Sequence, residues 1–253
     1  MGEMTIAVLT DLHLGPTHED ELFSILNDTL DRIQSHSPDQ IIVLGDIIQE
    51  TDVDTDERLL TDFVDCLDST GISYQCLVGN HDIEKLSREK FEAIIGHKSY
   101  QAVENKVFLD TGAPHLSHGR GEVSESQLEF LGAELPNLNE PIIFSHHPIH
   151  YHDIRDNRWF GRLPEAAFCG NKETVLDLLK DSKTNVAAVV NGHLHEWDYT
   201  EYRGVDHFTV DAFNKVPERK NESGGFALVE RSERLHVTQY KGDGSEHSVV
   251  LPI

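Results

Sequence analysis

Five short polar motifs, each directly after an apolar run, limit what this chain can fold into. The apolar runs read TIAVLT, IIVLG, SYQCLV, PIIFS and VAAVV, which is typical of buried strands. The motifs that follow them are Asp11-Leu12-His13, Gly45-Asp46, Gly79-Asn80-His81-Asp82, His146-His147-Pro148 and Gly192-His193-Leu194-His195. Because ligands and catalytic groups gather outside the carboxyl ends of strands in open α/β sheets, we expect one shared pocket. Asp, Asn and His are hard and borderline metal ligands, so the pocket is predicted to be a di-metal hydrolytic site.

Strand and helix patterns alternate through roughly the first 195 residues, which predicts right-handed crossovers and a largely parallel central sheet. Residues 19–36 show the apolar spacing of an amphipathic helix, as do three later segments. After Tyr199 the pattern changes to short strand-like runs, namely DHFTVDAF, GGFALVE, RLHVTQY and HSVVLPI. We expect these runs to form an antiparallel sheet packed on the first. No Gly- or Ser-rich linker interrupts the chain, so residues 1–253 are predicted to be a single domain, with residues ~200–253 completing the second sheet.

The charge balance is strongly acidic, with 45 Asp and Glu residues against 21 Lys and Arg and a formal net charge of −24. Such a surface repels polyanions, so no nucleic-acid polymer is expected as a partner. A solvated acidic surface adapted to high salt is the alternative explanation. The sequence shows no membrane-length apolar run and no signal-peptide pattern. Its three cysteines lack CxxC spacing, so a cytoplasmic protein without membrane contact is expected, and a homodimer is left open.

The five motifs together resemble the calcineurin-like metallophosphoesterase superfamily, whose pattern is D-x-H, G-D, G-N-H-[DE], a later His and G-H-x-H. All five blocks occur in that order between positions 11 and 195. The resemblance implies an α/β fold, a four-layer α/β/β/α sandwich of two mixed sheets flanked by helices. It also implies two metal ions at the sheet edge. By this resemblance Asp11, His13 and His195 would bind one metal and Asp46 would bridge, while the second metal would be held by Asn80, His146 and His193.

The chemistry of these residues agrees with that assignment. A carboxylate such as Asp46 can lie between two cations and offset their repulsion, and histidines beside Asp and Asn suit Mn, Fe or Zn ions, divalent or trivalent. A water held by both metals would ionise near neutral pH and attack phosphorus. We expect His81 to protonate the leaving oxygen or to stabilise the charge that develops on it. Asp82 is expected either to orient the His81 imidazole or to stabilise the local turn.

A finer resemblance concerns the segment FLDTGAPHLSHGRGEVSESQLEFLGAEL and the following IIFSHHPI. It is similar to the class III cyclic-nucleotide phosphodiesterase branch, which implies hydrolysis of small phosphodiesters such as 3′,5′-cyclic nucleotides. The alternatives within the superfamily are a phosphomonoesterase or a nucleotide pyrophosphatase. A non-catalytic binding scaffold is disfavoured, because the motif residues whose loss would indicate one are all present.

An irregular stretch between His147 and residue 171 carries arginines and aromatic residues. The functional interpretation is a rim loop in which Arg155 and Arg158 meet phosphate and Trp159 stacks on a base or apolar group. The predicted substrate-binding residues are these three together with Asn80, His81 and His147. The alternative is that the aromatic residues pack on the core and the arginines pair with carboxylates. His150, in the same stretch, is left between an extension of the site and a structural role.

Overall fold

The strands of the protein form two six-stranded sheets in the computed structural model, which describes residues 3–113, 115–214 and 223–252. In chain order the strands are β1 Met4–Leu9, β2 Gln40–Val43, β3 Ser73–Cys76, β4 Gln101–Val103, β5 Lys106–Leu109, β6 Ile142–Ser145, β7 Ala188–Asn191, β8 Asp198–Tyr202, β9 Val205–Thr209, β10 Phe226–Arg231, β11 Arg234–Tyr240 and β12 Glu246–Pro252. The first sheet has the order β12-β11-β10-β1-β2-β3 and the second the order β4-β5-β6-β7-β9-β8. Both sheets are mixed: β1, β2 and β3 run parallel on one side of the first sheet, and β5, β6, β7 and β9 run parallel at the centre of the second.

Helices cover the outer face of each sheet. In chain order they are α1 Glu19–Ser35, α2 Val53–Thr70, α3 Asp82–Lys85, α4 Arg88–Ile95, α5 Glu125–Glu134, α6 Pro164–Ala167 and α7 Lys172–Asp181, with a 3-10 turn at Leu135–Asn137. Capping side chains fix several ends: Asp52 accepts from a backbone amide of α2, and Ser124 does the same for α5. In the described part of the chain, none of the helices has the length and apolar character needed to cross a membrane.

Three apolar layers hold the sandwich together. In β1, Ile6 and Val8 point between the two sheets, whereas Ala7 and Leu9 point toward α1 and α2, because successive strand residues alternate faces. Phe108 contributes to the same inter-sheet layer from the second sheet. A third layer packs α5 and α7 on that sheet's outer face. The order of layers is therefore α/β/β/α, and the fold class expected from the sequence is confirmed.

The strand partners differ from the sequence-based expectation in two respects. The alternating segments do not share one parallel sheet, since β1–β3 lie in the first and β5–β7 in the second. The expectation that residues ~200–253 complete the second sheet is wrong for β10–β12, because β10 pairs with β1 and extends the first sheet. Only β8 and β9 join the second sheet. The physical reason is that hydrophobic alternation reports which face of a strand is buried and does not encode its lateral partner.

The carboxyl ends of the parallel strands meet at one edge of the sandwich. Within the first sheet, Asp11 donates its backbone N–H to Gly45 O at 3.0 Å. Within the second, Gly192 donates to His146 O, also at 3.0 Å. Between the sheets, the His146 ring Nδ1 donates to Leu44 O at 3.0 Å. These bonds bring the turns after β1, β2, β6 and β7 together, so motifs far apart in sequence become neighbours.

Candidate active site

The residues predicted to bind metal lie at this shared edge, and their backbone is unusual. Five of them have positive φ angles between 47° and 71°: Asp11, His13, Asp46, His193 and His195. Non-glycine residues adopt this left-handed conformation rarely because Cβ is crowded there, at a cost of order 1–3 kcal/mol each. Such strain persists only where the surrounding structure over-determines it, and it clusters at functional sites. The turns are therefore built to aim these side chains.

Asp11, His13 and His195 form the first group of donor atoms. Asp11 Oδ1 lies 3.2 Å from His195 Nε2 and 3.9 Å from His13 Nε2, and the two imidazole nitrogens are 3.1 Å apart. The other carboxylate oxygen, Oδ2, accepts from Thr10 Oγ1 at 2.6 Å and from the His193 backbone N–H at 2.9 Å. These contacts fix the carboxylate so that Oδ1 points toward the two imidazoles.

Asn80, His146 and His193 form the second group. His146 donates Nδ1–H to Leu44 O, and His193 donates Nε2–H to Ala166 O at 2.9 Å. Each bond places one proton on the ring nitrogen that faces a backbone carbonyl and turns the other ring nitrogen toward the site, and those two nitrogens are 3.2 Å apart. Backbone carbonyls that orient a histidine in this way are typical of metal-ligating imidazoles.

Asp46 lies between the two groups. Its Oδ2 is 3.2 Å from His146 Nε2 and 4.0 Å from His13 Nε2, while Oδ1 accepts from the His81 backbone N–H at 2.9 Å. Burial alone would raise the pKa of Asp46, but the surrounding histidines, His146 first, hold it well below its usual value. The carboxylate is thus ionised and central, which is the position a bridging ligand requires.

These donors fit a pair of transition-metal ions. Asp11 Oδ1 and Asn80 Oδ1 are both buried without a hydrogen-bond partner among the described residues. A buried acceptor without a partner costs free energy, and a cation supplies that partner. Imidazoles mixed with carboxylates and an amide suit Mn, Fe or Zn ions. The structure therefore brings the seven predicted ligands together, and their metal binding itself stays a prediction.

Two glycines of the motifs are required by close packing. A Cβ at Gly79 would lie 2.1 Å from Asp46 Oδ1, and a Cβ at Gly192 would lie 2.0 Å from Thr10 Oγ1. No side chain fits at either distance. The glycines of GNHD and GHLH therefore let the backbone approach the carboxylates that it must hold in place.

His81 faces the same pocket, and of the two roles expected for Asp82 the structure shows the turn-stabilising one. The Asp82 carboxylate accepts from the backbone amides of Gly79, Ile47 and Ile48 at 2.8–3.1 Å, so it stabilises the turn. The expected orienting contact of Asp82 with the His81 ring is made by Glu50 instead, whose Oε2 lies against His81 Nδ1.

Glu50 was missed by the sequence analysis. The available signal was a lone acidic residue four positions after Asp46, a spacing with no motif of its own. Its effect on His81 is electrostatic. Burial lowers the pKa of His81, yet Asp46 and Glu50 outweigh it and raise that pKa to about 9. The protein thus favours the protonated imidazole at neutral pH.

A cleft of about 670 Å³ opens in front of these residues. His13, Asn80, His81 and His195 line its floor, and Trp159 stands in its wall with 44% of its surface exposed. The indole ring centre is 5.7 Å from that of His195. A cleft of this size suits a nucleotide-sized molecule.

The predicted arginines do not line the cleft. Arg155 pairs with Asp153 on the surface, and Arg158 stacks 4.9 Å above the Trp159 ring. The cationic residue that does line it is Arg120, which is the one Lys or Arg among the described lining residues. Its Nε is buried without a hydrogen-bond partner in the described part of the chain. Sequence analysis passed over Arg120 because a single Arg in a glycine-rich loop carries no periodic signal.

His147 is held away from the cleft. Its Nε2–H donates to Gly119 O at 2.8 Å, and its Nδ1 accepts from Thr111 Oγ1 at 2.8 Å. Burial, with His193 and His146 nearby, holds the pKa of His147 well below its usual value, so the ring is neutral. In this arrangement both ring nitrogens are used to position the loop that carries Arg120, although His147 also lies beside His146 and His193 in a candidate ligand cluster.

The segment that suggested the phosphodiesterase branch has a structural role. Gln127 receives the backbone N–H of Asp110 at 2.9 Å and donates to Asp110 O at 2.8 Å. The Asp110 carboxylate accepts from Arg88 Nε at 2.5 Å. These contacts close the end of β5 and anchor the loop that begins at Thr111, so the motif shapes the cleft wall from behind.

Comparison with known proteins agrees with this geometry. The profile of the calcineurin-like phosphoesterases matches residues 4–197. The chain belongs to that family. The family is dimetal-dependent, and the described residues include candidate ligand clusters such as Asp11, His13 and His195.

Individual relatives are more distant. A probable cyclic nucleotide phosphodiesterase of Psychrobacter arcticus is 22% identical over 231 residues, covering 81% of this chain and 78% of the relative. One from Xenorhabdus bovienii is 25% identical over 211 residues, covering 76% and 78%. A dimetal phosphatase of Danio rerio superposes with a TM-score of 0.75 at 18% identity, covering 98% of this chain and 99% of that one. This last likeness establishes the fold alone.

Proposed function

We propose that this member of the family is a dinuclear metal-dependent phosphodiesterase that hydrolyses small phosphodiesters, with 3′,5′-cyclic nucleotides as the first candidates. The observation that carries the proposal is that the seven donor residues lie together, with five of them and His81 lining one cleft. The names of the two curated relatives, both probable cyclic nucleotide phosphodiesterases, support the diester and the nucleotide.

One metal would be held by Asp11, His13 and His195. The other would be held by Asn80, His146 and His193, and Asp46 would bind both. When bound, the two ions would generate the nucleophile from water and neutralise charge on the phosphoryl oxygens. The protein contributes orientation, since the ligand carboxylates and imidazoles are fixed by backbone hydrogen bonds before any substrate arrives.

His81 would hold the proton that the leaving oxygen needs. Its Nδ1–H points to Glu50, so the remaining proton of the imidazolium is on Nε2, which lies 3.9 Å from Asp46 Oδ2 at the cleft floor. A diester loses an alkoxide, which is a poor leaving group unless it is protonated as the bond breaks. The Glu50–His81 pair supplies that proton at a fixed position.

Arg120 and Trp159 would bind the two ends of the substrate. Arg120 lines the cleft, where its guanidinium would donate to a non-bridging phosphate oxygen in a charge-assisted pair. The exposed face of Trp159 offers a stacking surface for a base or an apolar group. Asp46, Glu50 and Glu84 also line the cleft, and their negative charge opposes a dianionic monoester more than a singly charged diester.

The test is a comparison of kcat/KM for bis-p-nitrophenyl phosphate, p-nitrophenyl phosphate and cyclic AMP at saturating Mn²⁺. We expect both diesters to be hydrolysed in preference to the monoester, and activity to be lost on chelation. A preference for the monoester would contradict the diesterase assignment and favour a phosphomonoesterase. Turnover of the generic diester with cyclic AMP untouched would contradict the nucleotide assignment.

A further inference from the structure

A second histidine cluster lies away from the cleft, where the loop after β6 crosses the β8–β9 hairpin. We call it the peripheral cluster; its members are His150, His152, Glu196, Asp198 and His207. None of the five is among the lining residues described for the cleft. Asp198 and His207 lie on the outer face of the second sheet, because the residue after each of them, Tyr199 or Phe208, packs in the layer between the sheets.

The donor atoms of this cluster have the spacing of a metal site. His150 Nε2 lies 3.0 Å from His152 Nδ1, and His152 Nδ1 lies 3.5 Å from Asp198 Oδ2. Two ligands bonded at about 2.0–2.1 Å to one tetrahedral ion are roughly 3.3 Å apart. The predicted metal ligands of the active site show the same spacing, 3.2 Å between His146 Nε2 and Asp46 Oδ2.

The two ring nitrogens of His152 have different neighbours: Nε2 faces Glu196, and Nδ1 faces His150 and Asp198. Its Nε2 is 3.2 Å from Glu196 Oε1, and a carboxylate only accepts, so that nitrogen carries the proton. The other nitrogen, Nδ1, faces both His150 Nε2 and the Asp198 carboxylate. Atoms with lone pairs lie this close together only when a cation or shared protons lie between them. A histidine held by a carboxylate on its far nitrogen is the usual arrangement around zinc.

Two histidines of the cluster are neutral because they are buried. His150 is fully buried, and the ring nitrogen that it turns toward His152 is Nε2. Its ring centre lies 4.6 Å from that of His207, which is also fully buried. Burial lowers the pKa of His150 to about 2 and that of His207 to about 3, so both rings are neutral, the form that ligates metals. Asp198 and Glu196 are about one-third exposed, which leaves an entrance.

We propose that His150, His152 and Asp198 bind a third metal ion, a zinc-like divalent cation with water as its fourth ligand. Two imidazoles and one carboxylate form a donor set that Zn²⁺ accepts. The ion would join the loop after β6 to the β8–β9 hairpin. That loop continues to Asn157, which accepts backbone N–H bonds from Trp159 and Phe160 and donates to Leu194 O at 2.8 Å. The third ion would therefore stabilise the loop that carries the cleft wall, without touching substrate.

The experiment measures zinc bound per chain after removal of all metal and dialysis against Zn²⁺, for the wild-type protein and for Asp198→Asn and His152→Gln. The control is Asp153→Asn, which makes the same charge change as Asp198→Asn beside His152 but removes an exposed carboxylate bonded to Arg155. We expect wild-type protein and the control to bind one ion more than either cluster variant. Circular dichroism of all four proteins confirms that they are folded.

The readout is the difference between variants, so it does not depend on how many ions the active site binds. Equal zinc content in wild-type protein and Asp198→Asn would overturn the proposal and leave the cluster as a hydrogen-bonded histidine chain. With cobalt in place of zinc, the visible absorption of a tetrahedral site should be weaker in both cluster variants by the same amount. Unchanged absorption would overturn the proposal equally.

Discussion

The active site and the peripheral cluster use the same donor types at nearly the same spacing, but on different backbones. In the active site five of the seven predicted ligands have positive φ. At two of its glycines, a Cβ would lie only about 2 Å from a neighbouring side-chain oxygen. In the peripheral cluster none of the five residues, all of them described, has positive φ. Its donors come from a loop and a hairpin at the edge of the second sheet.

The difference shows how backbone strain is linked to the fixed positions of the ligands in the active site. Strained turns cost stability, so they persist where several neighbours fix the same geometry, as the bonds to Asp11 and Asp46 do. A preorganised site loses no free energy to rearrangement during reaction. An unstrained cluster can bind an ion but has less to hold its ligands without one. We therefore expect the active site to support catalysis and the peripheral cluster to support structure.

The largest expected effect distinguishes a metal ligand, Asp46, from a catalytic residue that does not bind metal, His81. Asp46→Asn removes the central charge between the two donor groups, so metal content should fall and activity should drop by at least about 10³-fold, several kcal/mol of transition-state stabilisation. His81→Ala should keep the metals and lose roughly 10²–10⁴ in kcat, the usual scale of acid–base assistance. Metal analysis and kcat for both variants provide the measurement.

Asp198→Asn is the matched control for Asp46→Asn, since it makes the same change in the other cluster. It should leave kcat close to that of the wild-type protein. Equal metal loss in Asp46→Asn and His81→Ala would show that His81 is a ligand. A large loss of kcat in Asp198→Asn would remove the distinction between the two regions.

Arginine side chains provide the next test. Arg120 lines the cleft with its Nε unpartnered among the described residues, whereas Arg155 is 86% exposed beside Asp153 and close in sequence to the peripheral cluster. Arg120→Ala should raise KM for a diester by roughly 10- to 100-fold, the effect of a hydrogen bond between charged groups. Arg155→Ala should change KM little. Equal KM values in the two variants would remove Arg120 from the substrate site.

How much of this was visible in the sequence depends on whether a residue belongs to a repeated physical pattern. The motifs after β1, β2, β3, β6 and β7 could be predicted because buried strands are readable and their carboxyl ends share an edge. Glu50 and Arg120 could not, since each lies in an irregular segment whose path depends on tertiary contacts. The strand partners of β10–β12 were also missed, because alternation does not encode lateral order.

Asp82 and Arg155 are chemically suitable residues for which the sequence left two roles open, and the structure places each in the structural one. Asp82 follows His81 directly, yet its carboxylate is held by three backbone amides. Arg155 lies in the predicted rim loop, yet its nearest carboxylate, Asp153, takes its guanidinium. Residue type predicts what a side chain can do, and its neighbours in space decide what it does.

The smallest expected effect comes from the carboxylate that orients a histidine in each region. Glu50 contacts His81 in the active site, and Glu196 contacts His152 in the peripheral cluster. Glu50→Gln keeps the shape but removes the charge that favours the protonated ring, so kcat should fall by about tenfold, near 1.5 kcal/mol, with KM and metal content unchanged. Glu196→Gln should leave kcat unchanged and weaken only the third metal, by roughly 10- to 100-fold in affinity. A fall in kcat of the same size in both variants would mean that the two clusters act on one reaction, because each substitution removes a single charge and no ligand atom.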